Sequence, residues 1–168
     1  MIRLMGAALL VAGCGGFGFS LVAAHRREAA GLRRLIRGLQ EMEWELKYRM
    51  TPLPELCRLG GDTAGGQTRT ILRELGDRLD RGEAVGISGC LNGILQKATL
   101  PRSLRRNLRQ LGQSLGRFDL EGQLQGLEAV RRQCRKDLQI LEENSPQRLR
   151  SYQTLALCAG VALAILLI

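Results

Sequence analysis

A phosphate-binding loop is the first chemistry that residue spacing suggests, in the stretch Gly61-Asp62-Thr63-Ala64-Gly65-Gly66-Gln67-Thr68. In such a loop two glycines separated by four residues precede a lysine that reaches the β- and γ-phosphates, and a strand leads into it. Gln67 occupies the lysine position here, and no strand pattern precedes Gly61. We therefore interpret the stretch as a flexible loop between two helices and predict no nucleotide site.

Histidine, cysteine and carboxylate side chains offer little further chemistry. His25 is the only histidine and lies at the end of an apolar run, which excludes a histidine-based triad or zinc site in the domain. Cys57, Cys90 and Cys134 form no C-x-x-C pair, so we expect small, reduced core thiols, while Cys14 and Cys158 lie in apolar runs. Glu41, Glu43 and Glu45 point to different sides of a helix and are interpreted as solvated charges. We predict no catalytic residue, cofactor or metal, and no enzyme.

Basic residues line two of the predicted helices. They are Arg102, Arg105, Arg106 and Arg109 in the fifth helix and Arg131, Arg132, Arg135 and Lys136 in the sixth. With a net charge of +9, such faces suit nucleic acid or an anionic lipid surface. The few aromatic residues and the absence of a recognition motif favour membrane or acidic-protein contact over nucleic acid. A membrane-tethered binder of nucleic acid or anionic lipid remains the alternative function.

Two uncharged apolar runs lie near the ends of the chain. The first covers the 20 residues from Met5 to Ala24, close to the ~20 that a helix needs to cross a bilayer. The second covers the 14 residues from Leu155 to Ile168, and with residues 152–154 it would span about 25 Å as a helix. We predict transmembrane helices at residues 1–24 and 152–168 and a domain at residues 25–151.

The charges between these runs predict their orientation. Arg3 alone precedes the first run, so the intervening segment holds 24 of the 25 basic residues and all 16 acidic residues. Because Lys and Arg flank membrane helices on the cytoplasmic side, we expect a two-pass cell-membrane protein with both termini outside the cytosol. Cleavage at Cys14, as in a lipoprotein, or after Ala24 is the alternative, but it would leave the second apolar run unexplained.

Small residues recur every four positions in both apolar runs, a spacing that allows membrane helices to approach closely. The candidate packing positions are Ala8, Ala12, Gly16, Ser20, Ala156, Gly160 and Ala164.

Between the runs, apolar residues recur at helical spacing and no stretch alternates like a strand. We predict an all-α fold, a six-helix antiparallel bundle in the cytosol flanked by the two transmembrane helices. Thr51-Pro52-Leu53-Pro54 should end the first helix, with Thr51 capping the second and Tyr48 packed beside the turn. A loop around Gly60-Gly61 and Gly65-Gly66 should follow.

The starts and ends of the later helices are also predicted from single residues. Pro101 should open the fifth helix, Asp119 should cap the sixth, and Ser145-Pro146 should interrupt the chain before the second apolar run. The sixth helix carries a seam spaced like a heptad repeat, at Leu120, Leu124, Leu127, Cys134, Leu138 and Leu141.

Two motifs of the chain are distinctive. The first contains Leu39-Gln40, Met42-Glu43, Glu45-Leu46, Tyr48 and Thr51-Pro52-Leu53-Pro54-Glu55, and the second contains Ser114, Leu115, Gly116, Asp119 and Gln123. Both resemble motifs of the stage III sporulation protein AB family of endospore-forming bacteria. The resemblance covers essentially the whole chain. It departs from the family at Gly89-Cys90, where Ala-Trp is expected, and at Ser145-Pro146, where the family helix is usually continuous.

The resemblance implies a mother-cell membrane protein of the channel complex that links mother cell and engulfed forespore. Its cytoplasmic domain would resemble half of the platform protein of type II secretion and type IV pilus machines. The implied partners are the ATPase of the same operon, protein AA, and the operon's small membrane proteins, and we expect an oligomer. The candidate docking residues are Glu43, Tyr48, Thr51, Pro52, Leu53, Pro54 and Asp119.

Overall fold

The residues whose backbone is described form six α-helices in the computed structural model: α1 (Ile2–Tyr48), α2 (Leu53–Ala64), α3 (Gly66–Asp80), α4 (Ile87–Lys97), α5 (Arg102–Ser114) and α6 (Leu120–Leu167). The structure describes the backbone of residues 2–82, 86–116 and 119–167, and the side chains of residues 23–82, 86–116 and 119–143. No β-strand occurs in these backbone ranges. The predicted all-α class with six helices is therefore confirmed.

The chain divides into two compact units. Glu28–Gln139 form one unit, and the two ends, Met1–Arg27 and Ile140–Ile168, form the other. Within the described side chains, no helix has the length and apolar character needed to span a bilayer. The predicted spans at 1–24 and 152–168 lie almost wholly outside those side chains and remain predictions. The same holds for the small-residue positions Ala8, Ala12, Gly16, Ser20, Ala156, Gly160 and Ala164.

Consecutive helices of the Glu28–Gln139 bundle run antiparallel. α2 packs on α3, α3 on α4 and α4 on α5. Along the α5–α6 pair, Ser114 at the end of α5 lies against Gly126 near the start of α6, whereas Asn107 further back in α5 bonds to Asp137 further along α6. Short connections between helices permit only this alternation of direction.

The alternation gives the bundle two ends. At the proline-turn end, formed by residues 48–54, 115–116 and 119, α1 and α5 finish and α2 and α6 begin. At the junction end, α1 enters the bundle at Glu28 and α6 leaves it at Gln139. There the hydroxyl of Ser103 donates to Glu28 Oε1 at 2.5 Å, which ties the start of α5 to α1.

Leucine dominates the core. The fully buried side chains include Leu32, Leu35, Leu39, Met42, Leu56, Leu72, Leu75, Leu91, Leu95, Leu108, Leu111 and Leu115. Two of the predicted core thiols are buried as well, and burial raises the pKa of Cys57 and of Cys134 to about 12. These thiols therefore stay protonated and act as small apolar side chains.

The buried seam of α6 differs from the predicted one. Leu127, Val130, Cys134 and Asp137 are buried, at a spacing of three, four and three residues. Leu120 is exposed, and Leu124, Leu138 and Leu141 are only half-buried. The prediction counted apolar residues alone and so missed a charged residue at a core position.

A close crossing of α1 and α2 replaces part of the predicted glycine-rich loop. A Cβ at Gly38 would lie 2.9 Å from the Ala64 Cβ and nearer still to the Gly60 carbonyl oxygen, and one at Gly60 would lie 2.7 Å from the Met42 sulfur. Gly60 and its neighbour Gly61 are therefore buried within α2. The loop prediction was wrong here because these glycines serve close packing and not chain flexibility.

Only one residue, Gly65 with φ 70°, separates α2 from α3. The stretch with phosphate-loop spacing is thus two helices meeting at a glycine in a left-handed conformation.

The predicted break at Ser145-Pro146 is also wrong, because α6 is one helix from Leu120 to Leu167. A proline removes one helical hydrogen bond and often kinks the helix, but here the helix continues past it.

A buried polar cluster clamps α6 to α5. The Asp137 carboxylate accepts hydrogen bonds from Arg106 at 2.8 Å, from Asn107 at 2.7 Å and from Gln133 at 3.0 Å. Burial by itself raises the pKa of Asp137, but the three donors outweigh it and hold the pKa below its usual range. The carboxylate is thus charged and satisfied inside the bundle at neutral pH.

The Gly38→Ala substitution should test the α1–α2 crossing. Its methyl group meets the Gly60 backbone, which cannot rotate away, so we expect a loss of about 1–3 kcal/mol of unfolding free energy. Gly89 is the matched control, because a Cβ at this helical position has nothing within 4 Å. Gly89→Ala should stabilise the protein by about 0.5–1 kcal/mol. Circular-dichroism melting of the full chain measures both changes, and equal losses would contradict the crossing.

Asp137→Asn should remove an acid-sensitive part of the stability. A carboxylate with a lowered folded-state pKa stabilises the fold above its unfolded pKa of about 3.9, and this contribution disappears as the pH falls through the folded pKa. At pH 7 the unfolding free energy of the wild type should therefore exceed that of Asp137→Asn by about 1–3 kcal/mol. The two free energies should converge below about pH 4, as measured by denaturant unfolding across this pH range.

Asp62→Asn serves as the control for this measurement. Asp62 forms ion pairs with Arg69 at 3.0 Å and Arg73 at 2.7 Å, but on an exposed surface. Because solvent screens such pairs, its loss should cost less than about 1 kcal/mol. A larger effect at Asp62 than at Asp137 would show that burial does not govern these carboxylates.

Candidate docking surface

The proline turn reverses the chain between α1 and α2. α1 ends at Tyr48, and the Arg49 N–H donates to the Glu45 carbonyl at 3.0 Å. Met50 then adopts φ 51°, a left-handed conformation that costs a residue with a Cβ roughly 1–2 kcal/mol. Pro52 is the N-cap residue of α2. The predicted end of the first helix at this turn is confirmed.

Thr51 does not cap α2, contrary to the prediction. Its hydroxyl donates instead to Glu45 Oε2 at 2.7 Å, and α2 starts one residue after Pro52 without a side-chain cap. Glu45 is only 4% exposed, and its other oxygen lies 3.5 Å from Arg49 Nη1. Glu45 was wrongly predicted to be solvated, because the turn covers it and supplies a donor.

The second predicted docking segment lies beside the first. Asp119 caps α6 as predicted, with its Oδ1 accepting from the Gly122 N–H at 3.0 Å. In the preceding turn Gly116 has φ 70°, and a Cβ there would collide with Ile87 and lie 3.6 Å from the Leu53 side chain. Two segments more than 60 residues apart in sequence therefore meet at the proline-turn end.

Exposed apolar side chains extend this end along α1. Trp44 is 47%, Tyr48 65% and Met50 71% exposed. The Trp44 and Tyr48 ring centroids are 5.7 Å apart, Lys47 Nζ lies 5.4 Å from the Tyr48 centroid, and the Arg49 guanidinium lies 5.3 Å from that of Trp44. We call these five residues the aromatic patch. The prediction that Tyr48 packs beside the turn was wrong, because its ring points into solvent.

The remaining candidate residues differ in how accessible they are. Pro52 is exposed, whereas Leu53 and Pro54 are half-buried and support the turn from inside. Glu43 accepts from Arg131 Nε at 2.8 Å, and both side chains are 20% exposed. Its interpretation as a solvated charge was wrong, because α6 places an arginine opposite it.

Trp44 and Met50 were missed as candidates by the sequence analysis. A signal for Trp44 was present, since it lies one helical turn before Tyr48, on the face opposite the buried Met42 and Leu46. Met50 carried no comparable signal, because its left-handed conformation follows from the position of the turn.

Ion pairs fix the second helix next to this surface. Arg58 of α2 forms pairs with Asp77 at 3.1 Å, with Glu55 at 3.4 Å and with Asp80. Their hydrogen bonds, above all the one to Asp80, raise the pKa of Arg58.

Among the described side chains, no three His, Cys, Asp or Glu residues are grouped as metal ligands. The geometry is that of a contact surface held by polar turns.

Comparison with known proteins assigns the chain to a family. Residues 3–168 match the family described as stage III sporulation protein AB. The chain belongs to the stage III sporulation protein AB family. The resemblance inferred from the two motifs is thereby confirmed, and with it a place among sporulation proteins.

A curated relative and a solved structure carry the same description. The stage III sporulation protein AB of Bacillus subtilis (strain 168) is 23% identical over 170 residues, covering 99% of this chain and 99% of that protein. A solved stage III sporulation protein AB has a TM-score of 0.60 and 22% identity, covering 71% of this chain and 96% of the solved one. At this identity the structural match shows that the fold is shared.

Thr51→Val should destabilise the protein although it removes no helix cap. Loss of the hydroxyl leaves the buried Glu45 carboxylate without its 2.7 Å donor, at a cost of about 1–3 kcal/mol. Thr63→Val and Thr70→Val, at exposed helical positions, are matched controls and should change the unfolding free energy by less than about 0.5 kcal/mol. Similar melting of all three variants would contradict the role of the Thr51–Glu45 bond.

Proposed function

We propose that this protein is a non-enzymatic membrane platform of the sporulation channel complex between mother cell and forespore. It docks a cytoplasmic ATPase, the stage III sporulation protein AA, to the small membrane proteins of the channel. Membership of a sporulation family supports the process, and the all-α bundle supports a docking role. The activity of such a protein lies in surfaces that hold partners.

The observation that carries this proposal is the aromatic patch beside the two joined turns. Trp, Tyr and Arg are the residue types most enriched among those that dominate binding energy, and the only tryptophan of the chain lies here, exposed. Met50 keeps a 71% exposed apolar side chain at a strained position, which glycine would occupy without cost. Binding of a partner accounts for these two exposed apolar side chains, whereas the turn requires only a left-handed conformation at position 50 and no side chain there.

The membrane placement rests on the two apolar runs. Their lengths and the basic residues between them support two transmembrane helices, with the bundle in the mother-cell cytoplasm and both termini outside the cytosol. In that arrangement both membrane helices are joined to the junction end of the bundle, and the proline-turn end is its opposite end. It is therefore the end that a cytoplasmic partner reaches.

The alternative, a nucleic-acid binder that uses the arginine-lined helices, loses support from the side-chain contacts. Arg105 donates to the Ala98 carbonyl and Arg109 to Asn92, while Arg106 and Arg131 pair with acids of the bundle. Four of the eight basic residues named for that function are thus occupied within the fold. No specific observation favours nucleic acid over protein docking.

Met50→Gly separates folding from docking. Relief of the left-handed strain should stabilise the bundle by about 1 kcal/mol, and loss of the exposed side chain should weaken association with the ATPase by at least about 10-fold, as for a residue that contributes about 1.4 kcal/mol to binding. Tyr48→Ala should weaken association without raising stability. Interferometry with the full chain in detergent measures binding, and circular dichroism measures stability.

Gln40→Ala is the control, because Gln40 is exposed on α1 one turn before Trp44. It should bind the ATPase as wild type does. Normal binding by folded Met50→Gly and Tyr48→Ala would overturn the docking surface. A variant that gains stability and loses binding cannot be explained by misfolding.

A further inference from the structure

Charge is segregated along the bundle, helix by helix. In α1, residues 28–38 hold three arginines and one glutamate, whereas residues 39–48 hold one lysine and three glutamates. In α6, residues 120–129 hold two acids and no basic residue, whereas residues 130–139 hold four basic residues and one aspartate. Because consecutive helices alternate in direction, these basic segments lie in the same half of the bundle, the half nearer the junction end.

The other helices follow the same pattern. α4 has one charged residue, Lys97, at its last position, and α5 carries Arg102, Arg105 and Arg106 in its first five residues. In α3 the basic residues Arg69 and Arg73 precede all of its acidic residues. Only α2 departs from this pattern, because its acidic Asp62 lies near the junction end, where it pairs with those two arginines. We call this part of the bundle the basic half.

Several cations of the basic half lack an acceptor. Arg37, Arg102, Arg132, Arg135 and Lys136 are exposed and make no hydrogen bond or ion pair within the described part of the chain. Basic residues of the opposite half are used internally, as in the pairs of Arg49, Arg58 and Arg78 with acids. The positive charge of the basic half is therefore available to a ligand.

Helix stability does not explain where these cations lie. Positive charge near a helix N-terminus opposes the helix dipole by roughly 0.3–1 kcal/mol. Yet α3 and α5 carry arginines close to their N-termini and no acidic residue in the first turn. The arginines of α3 pair with Asp62, but Arg102 is unpaired among the described side chains and lies at the first position of α5, where its charge is unfavourable for the helix. Such a charge indicates an external anionic partner.

We propose that the basic half binds the anionic phospholipid headgroups of a membrane leaflet. The chain connectivity selects this occupant, since α1 enters the basic half at Glu28 and α6 leaves it at Gln139, so both apolar runs are joined to it. This step rests on the membrane placement proposed above. Each Lys or Arg near an anionic leaflet adds attraction that falls off within a Debye length, so the contact orients the bundle with its proline-turn end away from the lipid.

The test compares phosphatidylglycerol with phosphatidylcholine added to the full chain in an uncharged detergent. Phosphatidylglycerol should raise the melting temperature by about 4 °C or more, because a ligand that binds only the folded state stabilises it. Phosphatidylcholine should not, and about 500 mM salt should abolish the difference, since screening weakens contacts between exposed charges. Equal shifts with the two lipids would overturn the proposal.

Two charge-matched variants locate the contact. The triple variant Arg132→Gln, Arg135→Gln, Lys136→Gln should lose at least half of the phosphatidylglycerol shift. The control variant Lys47→Gln, Arg49→Gln, Arg81→Gln removes the same charge from the opposite half and should keep it. Equal losses would overturn the assignment to the basic half. The single variants Arg135→Gln and Lys136→Gln should each lose part of the shift, which provides the test if the triple variant does not fold.

A short DNA duplex in the same assay decides between lipid and nucleic acid. If the duplex reproduces the shift and the triple variant abolishes it, nucleic acid is the ligand and the lipid proposal is wrong. Absence of a shift with the duplex supports lipid. These outcomes are independent of ATPase association, so the lipid contact can fail while the platform function stands.

Discussion

The chain reversal after α1 is the constraint on which the rest of the structure depends. Pro52 and Pro54 prevent α1 from continuing, and the chain must turn within four residues to start α2. Met50 takes up the turn in a left-handed conformation, and Thr51 satisfies the carboxylate that the turn buries. α2 then returns along α1 so closely that only glycine fits at positions 38 and 60. The proline turn also fixes Leu53, whose side chain supports the turn at Gly116 that precedes α6.

Much of this fold follows from the sequence, because helices leave periodic and punctuated patterns. The six helices, the end of α1 and the Asp119 cap could be predicted from apolar spacing, prolines and a capping residue. Glycine misled the prediction at positions 60 and 61, because the sequence alone does not distinguish a glycine needed for close packing from one needed in a loop. The difference depends on what lies opposite, here Met42 and Gly38.

The candidate site was predicted only in part, because its contacts also depend on which residues lie opposite each other in the fold. The two turns were identified as separate segments, but their contact through Leu53 and Gly116 depends on how the helices fold back. The partners of Glu43 and Asp137 are arginines 88 and 31 residues away, a separation that residue types and local spacing do not reveal. An apolar count along α6 likewise gave no reason to place a charge in its seam.

Photo-crosslinking in sporulating cells tests the docking surface most directly. A benzophenone amino acid placed at Tyr48, in the exposed aromatic patch, should form a crosslink to the ATPase. The same group at Thr70, on the exposed surface of α3, should not. Crosslinking to the ATPase from position 70 but not from position 48 would contradict the assignment of the proline-turn end as the docking surface.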